Sequence, residues 1–183
     1  MKSKIQYIVL GLLMLGVMQQ AYVFLAPKVD TMFSDQQALA PLIPRVPITL
    51  LDESVSTIAD YGAGKQTLVF IVRSNCFYCQ QELEGLRENY DYFNDTQILF
   101  ISFEELEVIA NFKASYFKAE VPFVSFARAQ QSSVSPLLTH GLAFPYLLWY
   151  DHDGTQKLQH KGYLPVERIV QAMQHTGIAS GEL

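Results

Sequence analysis

Two cysteines, Cys76 and Cys79, carry the chemistry that this sequence most clearly offers. Two residues separate them, and they stand after an apolar run and before a stretch with helical spacing. In the first turn of a helix, this spacing brings the sulfurs within bonding reach and leaves the first beside unpaired backbone N–H groups. Those groups favour the thiolate, which is the attacking species in disulfide exchange. We therefore predict that Cys76 is the nucleophile and Cys79 the resolving thiol of a redox pair.

A Cys-x-x-Cys pair can also be half of a zinc site or a passive bridge. The chain has no second cysteine pair. Its four histidines lack the spacing that would complete a zinc site: His140, His152, His160 and His175. We therefore predict no metal and no cofactor other than the Cys76–Cys79 disulfide itself, while a passive bridge stays open as an alternative.

The elements that position the pair follow from the hydrophobic pattern. Residues 67–72 are continuously apolar or β-branched, which is typical of a strand buried on both faces. After the cysteines, apolar residues recur at spacings of three and four and predict a helix, on the face of Leu83, Leu86, Tyr90 and Phe93. A second strand over 97–103 and a helix over 106–116 then predict a parallel pair of strands with a right-handed crossover.

The C-terminal half predicts further strands and a last helix. Residues 146–150 and 155–163 flank an Asp-Gly turn that is typical of a β-hairpin. The last helix starts near Pro165 and ends before Gly177. The fold class is therefore α/β, with a central mixed sheet flanked by helices.

The composition limits the choice of partners. The chain has 183 residues, of which 50% are hydrophobic, and a formal net charge of −5. That length and composition suit one globular domain, and the acidic balance gives no electrostatic reason to bind nucleic acid.

The N-terminal segment predicts attachment to a membrane. Residues 5–25 carry no charge, and a helix of that length spans about 30 Å, the thickness of the bilayer core. Lys2 and Lys4 precede it, which favours a cytoplasmic N-terminus. A cleaved signal peptide is the alternative, but Gln19 fits poorly at position −3 of a cut after Ala21.

We accordingly expect a signal anchor over 1–26, a proline-containing linker over 27–47 and the globular domain over 48–183. The protein would be a single-pass protein of the cell inner membrane, with residues 5–25 in the lipid bilayer and the catalytic domain on the periplasmic side.

From about Val46 to Gln174 the chain resembles the thioredoxin superfamily, and within it the membrane-tethered, TlpA/ResA-like thiol-disulfide oxidoreductases. The resemblance implies that Pro145 is a cis-proline facing the cysteines, and that Phe144 presents a backbone edge to the substrate. It also implies that Glu82 lies near the cysteines and affects their titration. A plainer interpretation of Glu82 is that acidic residues are favoured in a first helical turn.

The sequence departs from the family at several positions. Asn75 replaces the usual aromatic residue before the first cysteine, and Phe77-Tyr78 lacks the common proline. Phe70 stands where thioredoxin has a buried aspartate. The redox potential and the substrate range are therefore not transferable from the family.

Three functions compete. The leading hypothesis is an extracytoplasmic, membrane-anchored oxidoreductase that exchanges disulfides with client proteins and takes electrons from a membrane thiol donor. The second is a binding module of the same fold with an inert disulfide, whose apolar surface around Phe77, Tyr78, Phe144 and Tyr146 captures a peptide or a subunit. The third is a copper(I) chaperone.

The residues between the cysteines favour a reductase. No basic residue stands there, and two aromatic rings desolvate a thiolate rather than stabilise it. A less stabilised reduced form makes a more reducing couple.

Overall fold

A seven-stranded mixed sheet runs through the part of the chain that the computed structural model describes, residues 42–178, with side chains described up to residue 174. The strand order is β2-β1-β5-β4-β3-β6-β7. The strands are β1 (Pro47–Leu50), β2 (Val55–Thr57), β3 (Gln66–Ile71), β4 (Thr96–Ser102), β5 (Val124–Arg128), β6 (Tyr146–Tyr150) and β7 (Gln156–Lys161).

Helices connect the strands. They are α1 (Ile58–Tyr61), α2 (Phe77–Glu88), α3 (Leu106–Tyr116), α4 (Gln131–Val134) and α5 (Val166–Ile178). Two short 3₁₀ helices follow α2 and α4, at Tyr90–Phe93 and Ser135–Leu137. The helix after the cysteines therefore ends at Glu88, and of the two aromatic residues expected further along its face, Phe93 is buried and Tyr90 is 42% exposed.

Alternating residues of the central strands belong to two hydrophobic clusters, one on each face of the sheet. Leu68 and Phe70 of β3 belong to the cluster that includes residues of α2, α3 and α5. Val69 and Ile71 belong to the opposite cluster, with residues of α1 and α4. Because side chains alternate along a strand, a strand segment with both faces covered must be apolar throughout, as residues 68–71 of β3 are.

The sheet topology brings two distant parts of the chain to one edge. β3 is parallel to β4 and antiparallel to β6, with Ile71 opposite Tyr146. The segment that leaves β3 and the segment that enters β6 therefore lie side by side. These segments carry Cys76 and Pro145.

The predicted α/β fold is confirmed, and further details differ from the sequence-based expectation. The last helix continues through Gly177 to Ile178 rather than ending before Gly177. β2 and α1 were not predicted, since three- and four-residue elements are too short to show periodicity. The end of the predicted linker also belongs to the folded part. The Ile43 amide donates to the Gly154 carbonyl (2.7 Å), the Ala59 amide donates to the Pro44 carbonyl (3.2 Å), and Val46 is 8% exposed.

The predicted anchor over 1–26 lies outside the described residues, as does most of the linker over 27–47. Within residues 42–178, no helix combines the length and the apolar character needed to span a bilayer.

Candidate active site

Cys76 occupies the N-cap of α2, with extended backbone angles of φ −91° and ψ 113°. Its Sγ accepts a hydrogen bond from the Cys79 amide at 3.3 Å. The N-cap side chain accepts a hydrogen bond from one of the first-turn amides that have no partner within the helix. These amides favour negative charge on the N-cap atom. The Cys76 thiol also faces the Phe144 carbonyl oxygen, at 3.5 Å. The side chain is partly exposed, so this sulfur is accessible to a second molecule.

Cys79 differs because it is completely buried, at 0% exposure. It belongs to the same apolar cluster as Phe70, the residue that stands in place of an aspartate in thioredoxin. Burial raises the pKa of the Cys79 thiol well above its ordinary value, and contact with Cys76 and the charge of Glu82 raise it further. Both cysteines are free thiols in this structure.

Glu82 is a buried carboxyl group, 1% exposed, on the inner face of α2 one turn after Cys79. Its Oε1 accepts a hydrogen bond from the Leu164 amide at 3.3 Å, whereas Oε2 has no hydrogen-bond partner within the described residues. Burial raises the pKa of Glu82 to about 8. The interpretation of Glu82 as a favourable first-turn residue is wrong, because α2 begins at Phe77 and its first turn has no acidic residue.

The Phe144–Pro145 peptide bond is cis, as the resemblance implied. The Pro145 carbonyl accepts a hydrogen bond from the Gly162 amide at 2.9 Å, which fixes this loop to the end of β7. The Phe144 ring makes an edge contact with Phe103 (6.0 Å between centroids). The Arg73 guanidinium lies 5.3 Å from the centre of the Phe144 ring, within the range of a cation–π contact.

Phe77 and Tyr78 are exposed beside the cysteines, at 63% and 56%. The ring of Tyr78 stacks on Tyr163 with 6.2 Å between centroids. Tyr163 was not predicted as a site residue, because it follows the motif by more than eighty positions and no local pattern marks it. Exposed aromatic side chains next to a nucleophile are suited to contact a protein partner.

Sequence reasoning also missed Glu104, which follows β4. Its carboxylate accepts hydrogen bonds from the Ser74 amide (2.8 Å) and the Ser74 hydroxyl (2.7 Å). A charged residue at the carboxyl end of a buried strand was the only available signal. The structure thus brings Cys76, Cys79, Glu82, Phe77, Tyr78, Phe144 and Pro145 to one end of the sheet, and their catalytic and binding roles stay predictions.

The three histidines whose side chains the structure describes do not form a ligand set. His140 and His152 are exposed and His160 is half-buried on β7, while the His175 side chain lies outside the described set. Within the described part of the chain, no three His, Cys, Asp or Glu side chains group closely enough to hold a metal ion.

A cysteine pair at the start of a helix, beside a cis-proline loop on a mixed sheet of this strand order, defines a thioredoxin-fold thiol-disulfide oxidoreductase. The chain belongs to the AhpC/TSA family, whose sequence profile matches residues 43–159. The predicted membership of the thioredoxin superfamily is confirmed, and the narrower resemblance to TlpA/ResA-like proteins stays a prediction. No curated protein matches the chain by sequence.

Solved structures show the same fold at low sequence identity. DsbF from Mycobacterium tuberculosis is 13% identical, with a TM-score of 0.61 over 74% of this chain and 98% of that one. A putative thiol:disulfide interchange protein DsbE from Chlorobium tepidum is 17% identical (TM-score 0.59, 76% and 95% covered). The exposed lipoprotein thioredoxin Etrx1 from Streptococcus pneumoniae is also 17% identical (TM-score 0.54, 70% and 97% covered).

Proposed function

We propose that this protein is a membrane-tethered disulfide reductase, which passes two electrons from Cys76 and Cys79 to disulfides of client proteins outside the cytoplasm. One observation carries the proposal: the two sulfurs differ sharply in exposure. Cys76 is partly exposed at the start of α2, whereas Cys79 is completely buried. Only Cys76 can meet a client disulfide, and only an intramolecular attack can use Cys79.

The reaction proceeds in two balanced steps. The Cys76 thiolate attacks one sulfur of the client disulfide, so a Cys76–client disulfide forms while the client's own disulfide breaks and releases its second sulfur as a thiolate. Cys79 then attacks Cys76 Sγ, which forms the Cys76–Cys79 disulfide and releases the other client sulfur. The client gains two electrons, the protein loses two, and the protons of the protein thiols pass to the client sulfurs.

The second step requires that buried Cys79 lose its proton. The burial of the Cys79 thiol raises its pKa, so the thiol needs a nearby group that can accept the proton. Glu82 lies one turn further along α2, on the same buried face, and burial raises the pKa of Glu82 to about 8. A carboxyl group whose pKa lies near the working pH can exchange protons efficiently. Glu82 is therefore our candidate for the proton relay to and from Cys79.

The client contacts follow from the surface around Cys76. Phe77 and Tyr78 are exposed on one side, and Phe144 and Pro145 form the adjacent loop. An extended client segment could lie across this loop and place its disulfide against Cys76. These four residues are our candidates for client binding.

The direction of electron flow rests on the surroundings of the thiols. No basic side chain stands between the cysteines, and Cys79 is held in an apolar cluster that disfavours its thiolate. Strong oxidants of this fold stabilise their reduced dithiol form. The surroundings of Cys76 and Cys79 offer less stabilisation to the reduced form. We therefore propose a reducing couple, supplied with electrons by a membrane thiol donor.

Single cysteine variants test the mechanism. Cys76→Ser is expected to abolish exchange with a model disulfide protein, because the exposed sulfur is lost. Cys79→Ser is the matched variant, and it is expected to accumulate a mixed disulfide between Cys76 and the client, visible on a non-reducing gel. Wild-type exchange rates in both variants would contradict the proposal.

The reduction potential tests the direction. Equilibration of the full-length protein, solubilised in detergent, with glutathione should place the couple near thioredoxin, at about −270 mV, rather than near the oxidant DsbA, at about −120 mV. A reduction potential close to that of DsbA would mean that the protein is an oxidase and not a reductase.

The tether and location are supported by the charge-free segment over 5–25 and by the pneumococcal neighbour, which is described as an exposed lipoprotein. The full-length chain is expected to remain with membranes after a high-salt wash and to dissolve only in detergent. Recovery of a soluble form that begins near Tyr22 would show cleavage instead.

A binding module with an inert disulfide is the second candidate, favoured by the exposed rings of Phe77 and Tyr78. It predicts that a client binds equally well to wild type and to Cys76→Ser. The reductase predicts that stable capture requires Cys76.

A further inference from the structure

Ser74 lies two residues before Cys76, in the segment between β3 and α2, and each of its polar groups has a partner. The amide and the hydroxyl donate to the two carboxylate oxygens of Glu104, at 2.8 and 2.7 Å. The carbonyl accepts a hydrogen bond from the Gln80 side-chain amide at 2.8 Å. This segment has no regular secondary structure, so side chains from α2 and from the end of β4 fix its path.

Glu104 is itself held in place. The Ser102 hydroxyl donates to Oε2 at 2.9 Å, and the Glu104 amide donates back to that hydroxyl at 3.3 Å. Desolvation acts to raise the pKa of Glu104, but the hydrogen bonds from Ser74 and Ser102 and the charge of Arg73 outweigh it and hold the pKa below its ordinary value. Glu104 is thus an ionised group at neutral pH, and charged acceptors make stronger hydrogen bonds than neutral ones.

The segment that Glu104 holds reaches the nucleophile. The Cys76 amide donates to the Arg73 carbonyl at 3.2 Å. The Arg73 guanidinium lies over the Phe144 ring, and the Phe144 carbonyl faces Cys76 Sγ at 3.5 Å. A change in the path of residues 73–75 would therefore move the backbone of Cys76.

We propose that Glu104 is a positioning residue, which acts through Ser74 to hold Cys76 in reach of Cys79 and thereby makes the couple more reducing. This inference rests on the proposed function and names a determinant of its direction. A segment that is already ordered in the dithiol form loses little freedom when the disulfide forms, so the disulfide is favoured. A more stable disulfide is a better electron donor in its reduced form.

The test measures the redox equilibrium of the full-length protein, solubilised in detergent, with glutathione. The protein dithiol reacts with one glutathione disulfide to give the Cys76–Cys79 disulfide and two glutathione thiols, which carry the two thiol protons. We expect Glu104→Ala to lower this equilibrium constant about tenfold, which makes the potential about 30 mV less negative. Glu104→Gln should fall between wild type and Glu104→Ala, because its amide oxygen can still accept one Ser74 hydrogen bond.

Three further variants test whether Glu104 acts through Ser74. Ser74→Ala, which removes the hydroxyl bond and keeps the amide bond, should shift the potential in the same direction by a smaller amount. The double variant should show no shift beyond that of Glu104→Ala, because Glu104→Ala already removes the bond from the Ser74 hydroxyl. Glu105→Gln is the matched control: this neighbouring carboxylate pairs with Arg128 at the surface and does not contact Ser74. It should leave the potential unchanged.

The free energy of unfolding is measured alongside, since a merely structural role would lower stability without moving the potential of the folded protein. Unchanged potentials in folded Glu104→Ala, or additive shifts in the double variant, would overturn the inference. If Glu104→Ala does not fold, the potentials of Glu104→Gln and Ser74→Ala test the inference: a shift to a less negative value supports it, and unchanged potentials contradict it. The absolute wild-type potential reports on the proposed reductase, whereas the difference between variants reports on Glu104, so either can fail alone.

Discussion

Glu82 and Glu104 both lie close to the cysteine pair, yet their surroundings shift their pKa values in opposite directions. Glu82 is almost fully buried and has a single hydrogen bond, from the Leu164 amide. Glu104 is only partly buried and accepts three hydrogen bonds, from Ser74 and Ser102. Burial raises the pKa of Glu82, while the donors around Glu104 lower its pKa.

The difference shows that burial together with the number of hydrogen-bond donors, and not proximity to the active site, decides the charge of a carboxyl group here. With a pKa of about 8, Glu82 is mostly protonated at neutral pH, and its ionised minority can accept a proton from Cys79, whereas Glu104 is ionised and serves as a fixed hydrogen-bond acceptor. One group is suited to titrate during turnover, and the other is suited to hold the backbone.

The largest expected effect is on the pH dependence of stability, through Glu82. Its pKa is raised in the folded state from an ordinary value of 4.5 to about 8. The stability that Glu82 contributes is therefore fully present below pH 4.5 and is lost as the pH rises to about 8. In that window the free energy of unfolding should fall by about 1.4 kcal/mol per pH unit from this group.

Glu82→Gln should remove this slope, as measured by chemical denaturation between pH 4.5 and 9. Glu84→Gln is a matched control on the same helix, because the Glu84 carboxylate is exposed beside Arg87. If Glu82→Gln and wild type show the same slope, the protonated state assigned to Glu82 is wrong.

A smaller effect of the opposite sign is expected from Glu104. Its pKa is lowered below the ordinary value of 4.5, so its contribution is present above that pH and is lost as the pH falls through the folded-state value. Glu104→Gln should lower the free energy of unfolding at pH 7 by about 1–2 kcal/mol, since hydrogen bonds to a charged group are lost.

The difference between Glu104→Gln and wild type should shrink in acid, which denaturation at pH 7 and pH 3 would measure. Glu105→Gln should change stability by less than about 1 kcal/mol, because its ion pair with Arg128 is exposed. An equal loss at both pH values would mean that the charge of Glu104 is not the stabilising feature.

The smallest effect on stability is expected at Tyr163, in the segment whose Leu164 amide binds Glu82. Tyr163→Ala removes a stack on Tyr78 at a partly exposed position and should cost only about 0.5–1 kcal/mol. The same change should slow client capture in a Cys79→Ser background, because the aromatic surface beside Cys76 is reduced.

Capture is followed as the rate of mixed-disulfide formation on non-reducing gels. Tyr92→Ala provides the control, since Tyr92 is an exposed aromatic residue in the 3₁₀ helix after α2. If both variants capture the client as fast as the parent protein, Tyr163 has no part in client binding.

The fold was largely predictable because its longer elements carry local patterns. The predicted strand over 146–150 and the helix over 106–116 agree with the structure, since both follow from the spacing of apolar residues. The brief β2 and α1 were missed, because elements of three and four residues are too short to show a periodic pattern. Periodicity reports burial within one element and says little about pieces of three or four residues.

The residues of the candidate site were predictable only where they form a local motif or where the resemblance to a known family covers them. Cys76 and Cys79 stand out by their spacing, and Phe144 and Pro145 by their resemblance to a known loop. Glu104 and Tyr163 come from connections after β4 and β7, and only the sheet order brings them to the cysteines. No signal in a single sequence pairs residues that lie so far apart along the chain.

The sequence alone determined which atoms can do chemistry and how they are spaced: two thiols at the start of a helix, and a carboxyl group one turn further on. Tertiary structure alone decided the state of those atoms. Cys79 and Glu82 are buried because α2 packs against the sheet, while Cys76 is left partly exposed at its end. The free energy of a charge depends on the water, donors and apolar atoms that surround it, and these neighbours are supplied by the whole fold.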